Sequence, residues 1–443
     1  MIMKAKQLIR IAFVGAGQRG PSLLMHLSNM SDVQVVAVCD KHEDRTQRMK
    51  EIVEKAGNPT PFTTQNYKEI IARGGLDAAV IATDWNMHVP ITIDFMEAGV
   101  QVGFEVGGCD SVEECWDLVR TYRKTGVECM MLENCCYAKK ELQIFNMVKQ
   151  GLFGEIVHCD GGYIHDLREE ILTGKEKRQY RLRNYMNRNC DNYPTHQLGP
   201  IAKLLDINRG NRMVSLCSVA SKSAGIKQYM KDNEIVNKDL LDKEFMQGDV
   251  VTTIIKCARG ETITLRLDTT LPHFYSRNYN VCGTKARYDE NTNCIFCKEL
   301  EPDQNHEGRG IDYWNNFDKF AEQYTHPLWK EYEEVGIRSG HGGMDWPVLR
   351  AFVESVKNGT KPPVDVYDAA AWMCISPLTE SSIAMGGAMV EIPDFTYGQW
   401  IEEFTPVPGK YSLDLVCEDR SVPIYPEECG EDDAKENIYS NLL

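Results

Sequence analysis

The chain has 443 residues, 42% of them hydrophobic and 26% charged, with a net charge of −16. This is ordinary globular composition, and the acidic balance argues against nucleic acid or an anionic membrane as partner, since both select basic surface. No run of about 18 apolar residues occurs, so no membrane span is expected. The opening MIMKAKQLIRIAFVG leads straight into a strand and is too short for a secretion signal, which predicts a cytoplasmic protein. The length suffices for two or three domains. Sixteen cysteines are scattered, many in apolar runs, and read as small buried hydrophobes in a reducing compartment. Cys294 and Cys297 form one CxxC without a second pair or a nearby histidine, so no metal site is expected. The adjacent Cys135 and Cys136 read as packing residues.

Ile9–Val14 is a β-rich run, and GAGQRG follows it with Gly15, Gly17 and Gly20 in GxGxxG spacing around Gln18 and Arg19. PSLLMHLSNM then reads as a helix with Pro21 in its first turn, and VQVVAVCD as a buried strand ending at Asp40. Each part has a physical reason. Gly15 permits a tight turn, Gly17 lets the backbone approach a pyrophosphate, and Gly20 lets helix and strand pack closely. The helix N-terminus offers free N–H groups to phosphate. Asp40, twenty residues beyond Gly20, can accept from ribose hydroxyls and repel a 2′-phosphate, so the expected cofactor is NAD.

DAAVIATD (77–84) is a further buried strand with WNMH as the loop after it; VPITIDFMEAG is a helix; VQVGFEVGG is a strand ending at Glu105. Ligands of a doubly wound sheet sit beyond the carboxyl ends of its strands, which aims Thr83, Trp85, His88 and Glu105 at the cofactor crevice. This first part resembles the Gfo/Idh/MocA family of NAD(P)-dependent sugar oxidoreductases. That resemblance implies Glu-Lys-Pro after the last strand, with the lysine assisting hydride transfer. The chain has Glu105-Val106-Gly107 instead.

MMLENCCYAKKELQIFNMVKQG reads as a strand and an amphipathic helix from about Lys140 to Gln150 at the entry to a second domain. A strand from Glu155 carries Tyr163 and His165 on one side, two residues apart. In YPTHQLGP, Tyr193 and His196 share one helical face. Arg168 and Arg181 are candidates for holding sugar hydroxyls or an acetamido carbonyl, with a surface salt bridge as the other reading; Tyr275 and Arg277, ahead of a strand and a GTK element, are further substrate-site candidates. Asp345 and Asp365 read as helix caps.

The stretches LENCCY, NMVKQGLFGEI, GGYIHDLR, YPTHQLGP, INRGNR, HGGMD, PPVDVYDAAAW and IPDF resemble glycoside hydrolase family 109, a branch of the same group. The resemblance spans nearly the whole chain. It departs in Asp84-Trp85-Asn86-Met87-His88 and at His273. It implies an NAD-dependent glycosidase of the α-N-acetylgalactosaminidase type. The implied route is oxidation at C3 of the sugar, loss of the C2 proton, departure of the aglycone, addition of water and re-reduction, with a tightly bound, recycled NAD. Catalytic roles are carried to Tyr163, His165, Tyr193 and His196. An NAD-dependent sugar dehydrogenase and a non-catalytic sugar or NAD sensor are the other readings.

The fold expected is α/β. A Rossmann dinucleotide-binding domain covers 1–133. An α/β domain with a large, mostly antiparallel open sheet covers 134–400. Helices at about 344–385 pack back on the first domain, and 401–443 form an acidic C-terminal arm. Segments 225–245 and 298–340 read as polar insertions at the cleft rim. The expected partner is a small glycoside, and a homo-oligomer is expected.

Overall fold

A computed structural model describes residues 8–235, 237–337, 341–407 and 409–416. Six parallel strands make the first sheet: β1 (Ile9–Val14), β2 (Val33–Cys39), β3 (Phe62–Thr64), β4 (Ala78–Ile81), β5 (Gln101–Phe104) and β6 (Cys129–Met131), in the order β3-β2-β1-β4-β5-β6. Their side chains are almost all buried, which is why these runs read as continuously apolar: helices cover both faces of a parallel sheet. The order reverses between β1 and β4, and the crevice at that switch point is where the glycine turn lies. Strand β6 completes this sheet, so the run at Met130 closes the first sheet and does not begin the second.

Eight strands make the second sheet: β7 (Ile156–Ile164), β8 (Met213–Ala220), β9 (Val250–Cys257), β10 (Thr262–Asp268), β11 (Asn280–Gly283), β12 (Ala286–Asp289), β13 (Cys294–Cys297) and β14 (Val390–Glu391). Their order is β13-β12-β11-β7-β10-β9-β8-β14, with only the β7–β10 pair parallel. One face of this mostly antiparallel sheet packs on the core and the other faces outward, which accounts for the alternating burial of β9 and β10.

Helix Asp345–Asn358 lies against the first sheet: a β-carbon at Gly103 would come within 3.1 Å of Phe352. Arg350 on the same helix is buried and pairs with Asp32 at 2.7 Å and Glu354 at 2.6 Å. The long helix expected at 366–385 is two, Val366–Met373 and Ile375–Ala384, joined at Cys374. Asp365 caps the first of them through the N–H groups of Tyr367 and Asp368.

Three further expectations change. WNMH is not a loop: after Asp84 in extended conformation, helix Trp85–Glu97 begins at Trp85 and carries Pro90 in its interior. Segment 298–340 is more than a polar rim, since Phe317, Tyr324, Leu328 and Trp329 are buried, and Trp329 Nε1 donates to the Tyr137 carbonyl at 2.9 Å. The arm begins packed: Tyr137 donates to the Tyr411 carbonyl at 2.8 Å, and Arg209 pairs with Asp414. Residues 417–443, the acidic part of the expected arm, lie outside the described residues.

Candidate active site

One continuous cavity of about 1310 Å³ joins the crevice of the first sheet to the wall of the second. Gly15, Gly17, Gln18, Arg19, Asp40, Thr83, His88 and Glu105 line it from one side; Tyr163, His165, Arg181, Tyr193, His196 and Tyr275 line it from the other.

The cofactor side is built from backbone constraints. Gly15 has φ +102, and a β-carbon there would lie 2.4 Å from the Ala82 carbonyl oxygen. Gly20 sits against the Gly15 carbonyl, where a β-carbon would approach to 2.2 Å, so the close helix-to-strand contact excludes any larger residue. A β-carbon at Gly17 meets no atom within 4 Å, because that position faces open cavity. The buried Asp40 carboxylate accepts from Ala16 N at 2.7 Å and His42 N at 2.9 Å, which fixes it at the rim of the crevice. These features fit a dinucleotide: an unobstructed glycine backbone, a helix N-terminus and an anchored acid.

Not every predicted cofactor residue faces the cavity. Trp85 is buried behind it; its indole packs on Tyr180 at 4.6 Å and Tyr193 at 5.7 Å and against Gly107, where a β-carbon would lie 2.2 Å from its ring. Gly107, at φ +147, is what the tryptophan requires. His88 Nε2 lies 3.2 Å from the Thr83 carbonyl, and burial lowers its pKa to about 4, so it is neutral. Arg19 holds Asp345 with both terminal nitrogens at 2.5 Å and Glu105 at 3.3 Å. Burial opposes its charge, but Glu105 and Asp345 outweigh that and raise its pKa. Asp345 is therefore no cap. It anchors Arg19, and also accepts from Asn134 Nδ2 at 2.7 Å.

On the opposite wall, β7 delivers Tyr163, and helix Thr195–Leu204 delivers His196 in its first turn with Tyr193 just before it. Tyr163 and Tyr193 rings stack at 4.5 Å, and His196 stands perpendicular to Tyr193 at 4.7 Å. Tyr163 Oη lies 3.1 Å from His165 Nδ1. Burial lowers the His165 pKa, which favours a neutral imidazole able to accept from the phenol. His196 Nδ1 lies 2.8 Å from Glu133 Oε1. Burial disfavours the His196 cation, yet the adjacent Cys135 and Glu133 outweigh it and raise the pKa. Glu133 is itself fully buried; burial would raise its pKa, and His196 holds it down. Burial pushes Tyr193 well up, and the Arg181 guanidinium, 5.2 Å from its ring, opposes that shift.

Of the sugar-binding candidates, Arg181 faces the cavity and pairs with Glu170 at 2.9 Å. Arg168 turns aside to Asp166 at 2.6 Å and Tyr229, and Arg277 pairs with Glu141 at 2.5 Å behind the wall. Arg168 takes the salt-bridge reading, and Arg277 is turned from the cavity by its own ion pair. Tyr275, half exposed, stands 5.1 Å from His165. Sequence reasoning assigned no role to Glu133 or Asn134, although LENCCY contains them, and read Asp345 as a cap and Cys135 as packing. It also missed residues 174–180, a strap from the second half that walls the cavity beside Asp40. The strap is tied down by Arg178 to Asp44 at 2.9 and 2.6 Å and by Arg45 to the Lys177 carbonyl at 2.9 Å.

Comparison with known proteins matches both halves. Residues 9–133 match the oxidoreductase family with an NAD-binding Rossmann fold, and residues 137–402 match the C-terminal domain of glycosyl hydrolase 109. A glycosyl hydrolase family 109 protein of Stenotrophomonas maltophilia is 38% identical over 88% of this chain and 90% of its own. An alpha-N-acetylgalactosaminidase of Tannerella forsythia is 36% identical over 90% of this chain and 88% of its own. Levoglucosan dehydrogenase, solved with NADH and L-sorbose, superposes with a TM-score of 0.63 at 14% identity, over 88% of this chain and all of that one, and shares the fold.

Proposed function

Because the chain belongs to glycosyl hydrolase family 109 and carries an NAD-binding Rossmann fold, we propose an NAD-dependent glycosidase that works by oxidation and elimination. Its proposed substrates are α-N-acetylgalactosaminides or related small glycosides. The observation that carries this reading is the cluster of Tyr163, His165, Tyr193 and His196 facing the dinucleotide crevice across one cavity. Ordinary glycosidases use two carboxylates beside the scissile bond; this wall offers phenols and imidazoles.

NAD, when bound, supplies a reversible hydride acceptor at C3, so no external oxidant is consumed over a cycle. Gly15, Gly17 and the helix N-terminus at Gly20 would hold its pyrophosphate, and Asp40 its ribose hydroxyls. His196 takes the proton of the C3 hydroxyl. Glu133 at Nδ1 and the adjacent Cys135 favour the imidazolium, so His196 serves as the acceptor once its Nε2 proton has left, and the carboxylate stabilises the imidazolium that re-forms. Tyr163 removes the C2 proton: its own phenolic proton moves toward the neutral His165, which raises the basicity of the oxygen. Arg181 favours negative charge developing on Tyr193. Tyr193 and His165 assist the leaving aglycone and the incoming water. Glu105 and Asp345 fix Arg19 beside the crevice. The position after Glu105 is Val106, with no lysine to relay the C3 proton as in a simple dehydrogenase of this fold.

No described helix is long and apolar enough to cross a membrane. We place the enzyme in the cytoplasm, acting on small imported glycosides. Val157, Val219 and Ile254 stand exposed on the outer face of the second sheet, which supports a homo-oligomer formed there.

Purified protein supplied with NAD and a panel of aryl α- and β-glycosides tests the reading. Release of the aryl alcohol without net NADH supports it. Net NADH from free sugar, with no cleavage of any glycoside, would replace it with a sugar dehydrogenase.

A further inference from the structure

We infer that Glu133, Cys135 and His196 form a three-ligand site for a thiophilic divalent cation of the zinc and cadmium class. A carboxylate oxygen, the Cys135 sulfur and a ring nitrogen of His196 all lie within 4.8 Å of one another. A tetrahedral ion with bonds of about 2.0–2.3 Å needs its ligand atoms roughly 3.3–3.8 Å apart, so closing on a metal takes side-chain adjustments of about an ångström. Among the described residues this is the one group of three such side chains drawn together.

The chemistry of the set suits that class. Thiolate and imidazole favour zinc and cadmium over magnesium or calcium, which take oxygen ligands. Three protein ligands leave a fourth position for a water. Glu133 Oε1 already orients His196 and accepts from Cys135 N at 3.1 Å, while its other oxygen has only the Thr195 hydroxyl beside it. The ligands are thus pre-positioned by the bonds that hold the unliganded site.

Charge balances on binding. The divalent ion replaces the thiol proton and the proton shared by Glu133 and His196, and both protons leave to solvent. Carboxylate, thiolate and neutral imidazole with a divalent cation sum to zero, which a buried site tolerates. No redox change is involved. A bound ion occupies His196 and so blocks its proton transfer. That inhibitory consequence rests on the role proposed for His196; the binding itself does not.

Cadmium titrated into the full-length, NAD-loaded protein tests this by thiolate-to-metal absorption in the ultraviolet. The wild type should take up one equivalent that Cys135→Ser lacks, with its affinity at least tenfold weaker or absent. His196→Gln should weaken the same equivalent independently, which covers the case in which the serine variant fails to fold. The paired comparison separates this site from the other thiols. No stoichiometric uptake, or uptake unchanged in both variants, would overturn the inference. A protein that binds cadmium here but cleaves no glycoside would leave this site standing and sink the glycosidase reading alone.

Discussion

Glu133 lies behind His196, the residue proposed to act on the sugar, and bonds its ring nitrogen. It is fully buried, 2.8 Å from His196, and its charge has no other strong partner among the described contacts. Replacing it by the isosteric Gln keeps the volume and a hydrogen bond but removes the charge that stabilises the imidazolium. Glu133→Gln should lower kcat by about 10²- to 10⁴-fold, the range for a proton-transfer group, with NAD affinity and KM little changed. Loss of NAD binding in that variant, with kcat for the remaining holoenzyme intact, would reassign Glu133 to a structural role. Asp191 is a second buried acid, and its pKa is raised to about 7 by burial, against the hydrogen bond from Tyr193 N. The folded state therefore favours its protonated form. Its contribution is fully present below the ordinary carboxylate pKa and is lost as pH rises from about 4 through 7. Asp191→Asn keeps an oxygen for Tyr193 N without the titration, so its melting temperature should lose that part of the decline. An unchanged profile would show that Asp191 is ionised in the folded protein.

At the scale of elements, legibility followed locality. The strands β1, β2, β4 and β5 were readable because buried parallel strands are unbroken apolar runs, and Gly15, Gly17 and Gly20 announce the turn between β1 and its helix. Tyr163 with His165 was readable because period-2 geometry sets both on one side of β7. Contacts made across the fold left no such trace. Glu133 meets a histidine 63 residues away, and Asp345 meets Arg19 across 326. Trp85 looked like a cavity residue by its place after β4, but a helix starts at it and turns its ring back onto Gly107. The strap at 174–180 has a polar, unpatterned sequence, and only its ties to Asp44 and Arg45 reveal its place. Those ties make a prediction: Arg178→Ala or Asp44→Ala should speed release of bound NAD several-fold. The charge swap, Asp44→Arg with Arg178→Asp, should restore retention. Release as slow in both single variants as in the wild type would show that the strap does not hold the cofactor.

Across the whole molecule, the two sheets line opposite sides of one cavity, and the proposed chemistry draws on both. The parallel sheet presents backbone and an anchored acid to a dinucleotide, and the open sheet with helix Thr195–Leu204 presents four proton-handling side chains. Neither half explains the other alone. A dehydrogenase needs one proton acceptor at the carbinol, whereas elimination needs proton transfers at C2 and at the leaving oxygen as well. The clustering of Tyr163, Tyr193, His165 and His196 around one point is what separates the two accounts. The direct test is cleavage of an α-N-acetylgalactosaminide in heavy water by the NAD-supplied enzyme, with the released sugar examined for deuterium at C2. The account predicts deuterium at C2 in the product, greatly reduced cleavage in Tyr163→Phe, and no accumulation of NADH. Cleavage that leaves C2 fully protonated would contradict oxidation and elimination as the route.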